Sequence, residues 1–331
     1  MAGQRERHSY TPPQDILDKF PEISGNSVNG LGETEWRSPA PFFWHPPEKQ
    51  THGELQQYVV SNFRPSSVED RSFRNPNVDR GPALADIAEE RKTAQTSEWT
   101  RAIKDFVLQD EGDLVGVTPM TADYIYSGYE IEEPTVIMIG VAHDYDRLSK
   151  APGTVDNPDP YHDLHDQYNR AARVAARLTN FIRGKGYQAT PFLGPRGAAI
   201  NMIPAAIAAG MGELGKHGSI INRVHGSGFR LSAVATDMPL EFDAPDDFGA
   251  GDFCATCRVC TDACPPGAIF EEKQMVRGEK KWYVDFDKCI PYFAEYMGCG
   301  ICIAECPYTR PGVADRLVVK MAKRRARKLE S

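Results

Sequence analysis

A chain of 331 residues with 41% hydrophobic and 25% charged residues has room for two or three domains and a sizeable buried core. Its formal net charge of −8 argues against a general nucleic-acid binder, and no apolar stretch approaches the roughly 20 residues needed to span a bilayer. The opening MAGQRERHSY carries neither a twin arginine nor an apolar h-region, so a cytoplasmic protein is expected.

Residues 1–112 are rich in Pro, Asn, Ser and charge and show little periodicity, which predicts a segment that wraps over other elements. Within it, the aromatic stretch Ala40 to Trp44 reads as a core anchor. From 113 the pattern turns to strands and helices. Val136 to Val141 is a continuous apolar run, as in a strand buried on both faces. Residues 165–183 carry Ala171, Ala172, Ala175, Leu178, Phe181 and Ile182 at helical spacing, with Gly184 and Gly186 able to end the helix. Tyr187 to Leu193 predicts a strand, 198–210 a small-residue helix with Pro204 near its start or at a kink, and Gly228 to Asp237 another strand. The fold class is α+β or α/β, with a domain at 113–247, a cysteine-rich module at 248–310 and a basic tail at 311–331. In that tail Lys320, Lys323, Arg324, Arg325, Arg327 and Lys328 read as a solvated helix face; the sharper reading is a docking patch for an acidic electron donor.

All eight cysteines lie between 254 and 306. Cys254, Cys257, Cys260 and Cys264 form a C-x2-C-x2-C-x3-C run before Pro265, and Cys289, Cys299, Cys302 and Cys306 form C-x9-C-x2-C-x3-C before Pro307. Three cysteines at two-residue gaps followed by Cys-Pro overshoot a structural zinc site, and disulfide frameworks belong to small secreted chains. The pattern is that of a bacterial ferredoxin with two 4Fe–4S clusters, in which the fourth cysteine of each run ligates the other cluster. One cluster then takes Cys254, Cys257, Cys260 and Cys306, and the other Cys264, Cys289, Cys299 and Cys302. The x9 gap departs from the usual x2, so Cys289 enters by count.

Two cofactor-like strings fail on context. Gly210-x-Gly212-x-x-Gly215 satisfies the dinucleotide fingerprint, but a helical stretch precedes it where a strand is required. Its glycines still allow a tight turn or close backbone approach to a bulky ligand. Asp163-x-His165-x-x-Tyr168 lacks the glycine of the element by which many cobalamin enzymes present histidine to cobalt, so His165 reads as a surface or helix-start residue.

Several segments together resemble the corrinoid-dependent reductive dehalogenases. They are Phe181-Ile182-Arg183 with Gly186-Tyr187-Gln188-Ala189, the loop Gly212-Glu213-Leu214-Gly215-Lys216-His217-Gly218, Gly228-Phe229-Arg230-Leu231, and Thr236-Asp237-Met238-Pro239-Leu240 leading into the cysteine runs. The resemblance implies a nitroreductase-like cobalamin-binding domain beside a ferredoxin-like domain with two 4Fe–4S clusters. It implies base-off cobalamin, with no histidine on cobalt. By position in the family pattern, Tyr168 is the proton donor and Arg230 the cation that stabilises its anion. Gly212, Gly215 and Gly218 are cofactor-binding candidates, and Lys216 is expected on a cobalamin phosphate or amide. The chain lacks the twin-arginine signal of respiratory members, is shorter than typical members and has no fused reductase module, which implies a separate donor such as a ferredoxin or flavodoxin.

Replacing carbon–halogen by carbon–hydrogen takes two electrons and one proton. The clusters deliver electrons singly, and tyrosine becomes an effective acid when a guanidinium, charged even when desolvated, stabilises the phenolate. The expected substrate is an organohalide. Tyr124, Tyr126 and Tyr129 could line a pocket for an aromatic ring or belong to the core. An epoxyqueuosine reductase acting on tRNA shares the cofactor plan and is the nearest alternative. A ferredoxin-type carrier without corrinoid is the second.

Overall fold

Apolar residues alternate between two faces of a four-stranded antiparallel sheet, and helices cover both. The computed structural model describes residues 10–20, 22–42, 51–62, 79–193, 199–296 and 298–329. Strands β1 (Leu114–Pro119), β2 (Thr135–Ala142), β3 (Ala189–Phe192) and a later strand, Phe229–Thr236, lie in the order β1, β2, Phe229–Thr236, β3, every pair antiparallel. The run from Val136 is buried on both faces as expected, but here through covering helices rather than through parallel pairing.

On one face Ile137, Ile139, Val117 and Val234 pack against Trp99, Ile103 and Val107 of one helix (Thr96–Gln109) and Val174, Leu178 and Ile182 of another (Asp159–Arg183). On the other, Val136, Met138, Ala233 and Ala235 pack against Ala205 and Ala206 of a short helix (Met202–Ala208). Each large aliphatic side chain buried this way contributes about 1.5–3 kcal/mol.

Numbered along the chain, the helices used below are α1 (Gly53–Asn62), α2 (Thr96–Gln109), α3 (Asp159–Arg183) and α4 (Met202–Ala208). Helix α3 starts at Asp159 rather than at 165, because Pro160 supplies a pre-set φ in the first turn. Its first turns are polar, so apolar periodicity becomes visible only from Ala171. Ala171, Ala172, Ala175 and Ala176 let the helix approach the sheet closely. Helix α4 is shorter than the expected 198–210; Asn201 caps it by accepting from the Ile203 N–H, and Pro204 falls in its first turn. Tyr124 is buried in the core under α4, with Tyr129 packed against it.

The glycine-rich loop is a hairpin, β4 (Glu213–Leu214) pairing with β5 (Ile220–Ile221), and it opens no helix; Phe229–Thr236 is β6. The cysteine-rich module follows with α5 (Ala250–Thr256), α6 (Val259–Ala263), α7 (Phe286–Glu295), α8 (Ile301–Ala304) and the basic helix α9 (Ala314–Leu329).

The N-terminal residues divide between the two halves. Gly25 and Asn26 bond Asp287 and Asp285, and α1 packs on α7 through Leu55, Val59, Ile290 and Ala294. Residues from Ala85 to Arg91 lie instead along the C-terminal end of α3, where the Ala85 N–H reaches Asn180 at 2.8 Å. Ala40 is buried and Phe42 packs on Phe286; Phe43 and Trp44 of the expected anchor lie outside the described residues.

Candidate active site and cluster ligands

Tyr168 stands on α3 and Arg230 on β6, two elements packed directly on one another. Arg230 Nη1 donates to the Tyr168 hydroxyl at 3.3 Å, and the guanidinium carbon lies 5.3 Å from the ring centroid. Both residues are half-buried. The phenol accepts this bond while its own proton meets no acceptor among the described residues. The two residues singled out by resemblance are thus brought together, with a transferable proton beside a fixed cation.

Two further side chains complete the arrangement. Arg230 Nε donates to His143 Nε2 at 2.8 Å, and His143 Nδ1 bonds the Asp163 carboxylate. The His143 and Asp163 side chains are 2% and 0% exposed. Burial pushes His143 below the ordinary histidine range, against the opposing pull of Asp163. Asp163 was visible in the sequence only inside a failed motif, and His143 in no motif. His165, next to Asp163 on the same helix, rests its ring against Tyr161 with centroids 4.3 Å apart.

The cysteines fall into two groups of interacting thiols. Burial pushes Cys254 and Cys260 up to about 12 and Cys306 up to about 11; Cys306 and Cys257 add to the shift of Cys254, Cys254, Cys306 and Cys257 to that of Cys260, and Cys257 to that of Cys306. Burial likewise pushes up Cys264, Cys289, Cys299 and Cys302, the last feeling Cys299, Cys289 and Cys264. Cys302 also feels Cys260, so the groups adjoin. Backbone N–H groups point at the sulfurs: that of Ala268 reaches Cys264 Sγ at 3.4 Å, that of Lys216 is directed at Cys254, and that of Ile301 at Cys299. Such donors stabilise thiolates, so the sulfur environment fits cluster ligation. Cys299 sits at φ +46° between Gly298 and Gly300, a conformation disfavoured for a residue with a Cβ and typical of functional loops. Cys289 comes from within α7, and the long gap before Cys299 is occupied by the rest of that helix and the glycine turn.

Lys216 and the loop glycines make their closest contacts within the protein. Lys216 is 3% exposed; its ammonium donates to the Cys257 carbonyl at 2.8 Å and lies 5.0 Å from the Trp282 ring centroid. The β4–β5 turn folds against the α5–α6 loop, which directs this cation to the first cysteine group. The space a Cβ would take is filled at Gly212 by the Ile221 carbonyl, at Gly215 by the His217 ring and at Gly218 by Val284. The need for glycine at these positions is therefore met by packing within the protein.

A feature missed in the sequence ties the two halves together. Glu213 accepts from the N–H groups of Phe248, Gly249, Ala250 and Gly251 at 2.6–2.9 Å, capping the start of α5.

Residues 253–309 match the family described as a 4Fe-4S dicluster domain. The tetrachloroethene reductive dehalogenase of Sulfurospirillum multivorans is 29% identical over 297 residues, covering 86% of this chain and 56% of that protein. The chain is a relative of the reductive dehalogenases. A solved reductive dehalogenase, described in connection with B12-dependent dehalogenation, aligns with a TM-score of 0.66 at 25% identity, over 78% of this chain and 38% of its own length. This dehalogenase relative also shares 33% identity over 122 residues with the epoxyqueuosine reductase of Cyclobacterium marinum, 32% of this chain and 36% of that one. It thus spans little more than half the length of the tetrachloroethene enzyme it matches. Among the described residues, no helix is long and apolar enough to cross a membrane.

Proposed function

We propose that this chain is a reductive dehalogenase that converts an organohalide, two electrons and a proton into the hydrogen-substituted product and halide. The observation that carries this reading is the Tyr168 hydroxyl, held by Arg230 at 3.3 Å with its proton uncommitted among the described residues. The same chain carries two groups of four cysteines. We assign Cys254, Cys257, Cys260 and Cys306 to one 4Fe–4S cluster and Cys264, Cys289, Cys299 and Cys302 to the other, which together pass electrons one at a time.

Neither Tyr168 nor Arg230 can supply two reducing electrons, so the pair, a proton and a cation, fits a cofactor that brings the electrons. A corrinoid bound beside this pair would supply the electrons for breaking the carbon–halogen bond. Tyr168 Oη then releases its proton toward the substrate carbon, and Arg230 Nη1 stabilises the phenolate left behind.

The electron donor on this reading is a separate acidic carrier such as a ferredoxin or flavodoxin. Arg316, Lys320, Lys323, Arg324 and Arg327 are exposed along one face of α9 and have no ion pair among the described residues. Helix α9 packs on α5, which carries Cys254, so a partner steered there would reach the first cluster. Arg325 belongs instead to the fold, bound to Asp247 and Asp252.

Anaerobic reconstitution with iron, sulfide and cobalamin, followed by metal analysis, tests the cofactor set. About eight irons and one cobalt per chain are expected. Iron without retained cobalt contradicts the reading and favours a simple electron carrier. Loss of queuosine from tRNA in a deletion strain favours the epoxyqueuosine alternative.

A further inference from the structure

We propose that Asp163 and His143 are positioning residues that fix the direction of every hydrogen bond through which Arg230 holds Tyr168. This rests on the reading of Tyr168 as proton donor.

The placement follows from the sheet. Val141 of β2 pairs with Arg230 of β6, and His143 lies two residues further along, on the same side as Val141. The His143 N–H is held by the Gly228 carbonyl at 2.8 Å. Helix α3 crosses this end of the two central strands and presents Asp163 to the imidazole and Tyr168 to the guanidinium. The result is one continuous chain: Asp163, His143, Arg230, Tyr168.

The proton positions in this chain are set by Arg230 and Asp163, which flank the imidazole. Arginine has donors only and stays charged, so its Nε–H requires a lone pair on His143 Nε2. The single imidazole proton must then sit on Nδ1, where Asp163 accepts it. Asp163 is itself locked by the Asp144 N–H at 3.2 Å and Gln167 Nε2 at 3.0 Å. A second imidazole proton would set N–H against N–H at Arg230. The charged groups facing His143 are Asp163 on α3, Arg230 on β6 and Arg147 in the turn after β2.

The arrangement also separates charges usefully. Asp163 balances the half-buried guanidinium from the far side of the imidazole. The phenolate forming at Tyr168 therefore meets the cation directly and the carboxylate only at a distance.

The test is Asp163→Asn, which preserves shape but donates where the carboxylate accepted. The wild-type full chain, labelled with ¹⁵N-histidine and with His143 assigned by loss of its signals in His143→Gln, should show a neutral imidazole protonated on Nδ1. Asp163→Asn should move the proton to Nε2 and lower kcat about a hundredfold or more, with KM within about threefold. An Nε2-protonated His143 in the wild type, or unchanged kcat in Asp163→Asn with the proton moved, overturns the proposal.

If Asp163→Asn does not fold, two His143 variants decide the matter. His143→Phe removes both nitrogens and should lower kcat about a hundredfold, whereas the His143→Gln oxygen can accept from Arg230 and should recover to within about tenfold of wild type. Equal activity of the two, whether high or low, overturns the proposal. The tautomer is read without turnover. A wild type that releases no halide therefore contradicts the proposed function and leaves the positioning pair to be judged by its spectrum.

Discussion

Arg230 bridges two partners at once: its Nε donates to His143 at 2.8 Å and its Nη1 to the Tyr168 hydroxyl at 3.3 Å. Lysine has one nitrogen at the end of a flexible stem and cannot reproduce that fork. Arg230→Lys should keep iron and cobalt content but lower kcat by about a hundredfold or more, because the phenolate loses its fixed counter-charge. Steady-state halide release, normalised to cobalt, checks this.

The bond between Lys216 and the Cys257 carbonyl places a buried cation beside the first cysteine group, at 2.8 Å. Added positive charge near a cluster favours its reduced form. Lys216→Met should therefore lower the midpoint potential of one cluster by tens of millivolts and leave the other unchanged, as read by an EPR-monitored redox titration.

Glu213 joins the glycine-rich hairpin to the cysteine module through four backbone N–H groups. Glu213→Ala strips the start of α5 of its acceptor and should cost about 2–3 kcal/mol of stability. Glu213→Gln, which keeps one acceptor oxygen, should recover part of the loss. Urea unfolding midpoints measure both.

Much of the site was legible because its chemistry is periodic in sequence. The cysteine runs announce themselves by spacing, and the residues between Cys289 and Cys299 turned out to complete a helix. Strand direction was not legible: the run from Val136 reports burial on both faces, which covering helices produce in an antiparallel sheet as well as in a parallel one. Tyr168 and Arg230 were singled out only through resemblance, since a tyrosine on a helix and an arginine on a strand carry no signal alone. His143 and Asp163 meet only after β2 and α3 fold together, and no local pattern marks such a pair. The Gly212 to Gly218 loop was read as allowing a tight turn or close approach to a ligand, and its glycines are packed against Ile221, His217 and Val284.

His217 is 6% exposed, and burial pushes it down from 6.5 to about 4. Its Nε2 faces the Ser227 hydroxyl at 2.9 Å and its Nδ1 accepts from the Ser219 N–H at 3.2 Å. The unfolded chain binds a proton near 6.5 while the folded chain resists until about 4. Stability is therefore unaffected above 6.5 and falls as pH drops through that window, by about 3 kcal/mol for this residue. His52, also pushed by burial to about 4, acts in the same direction. Urea unfolding between pH 7 and pH 4 should show this slope, reduced in His217→Asn.

The most direct test of the account is halide release from a panel of halophenols and haloalkenes by the reconstituted protein, wild type against Tyr168→Phe. The wild type should release halide from at least one of these. Tyr168→Phe, with the same iron and cobalt, should be slower by about 10²–10⁴-fold. A fully loaded wild type that releases no halide from any of them, or a Tyr168→Phe variant that turns over at the wild-type rate, would contradict it.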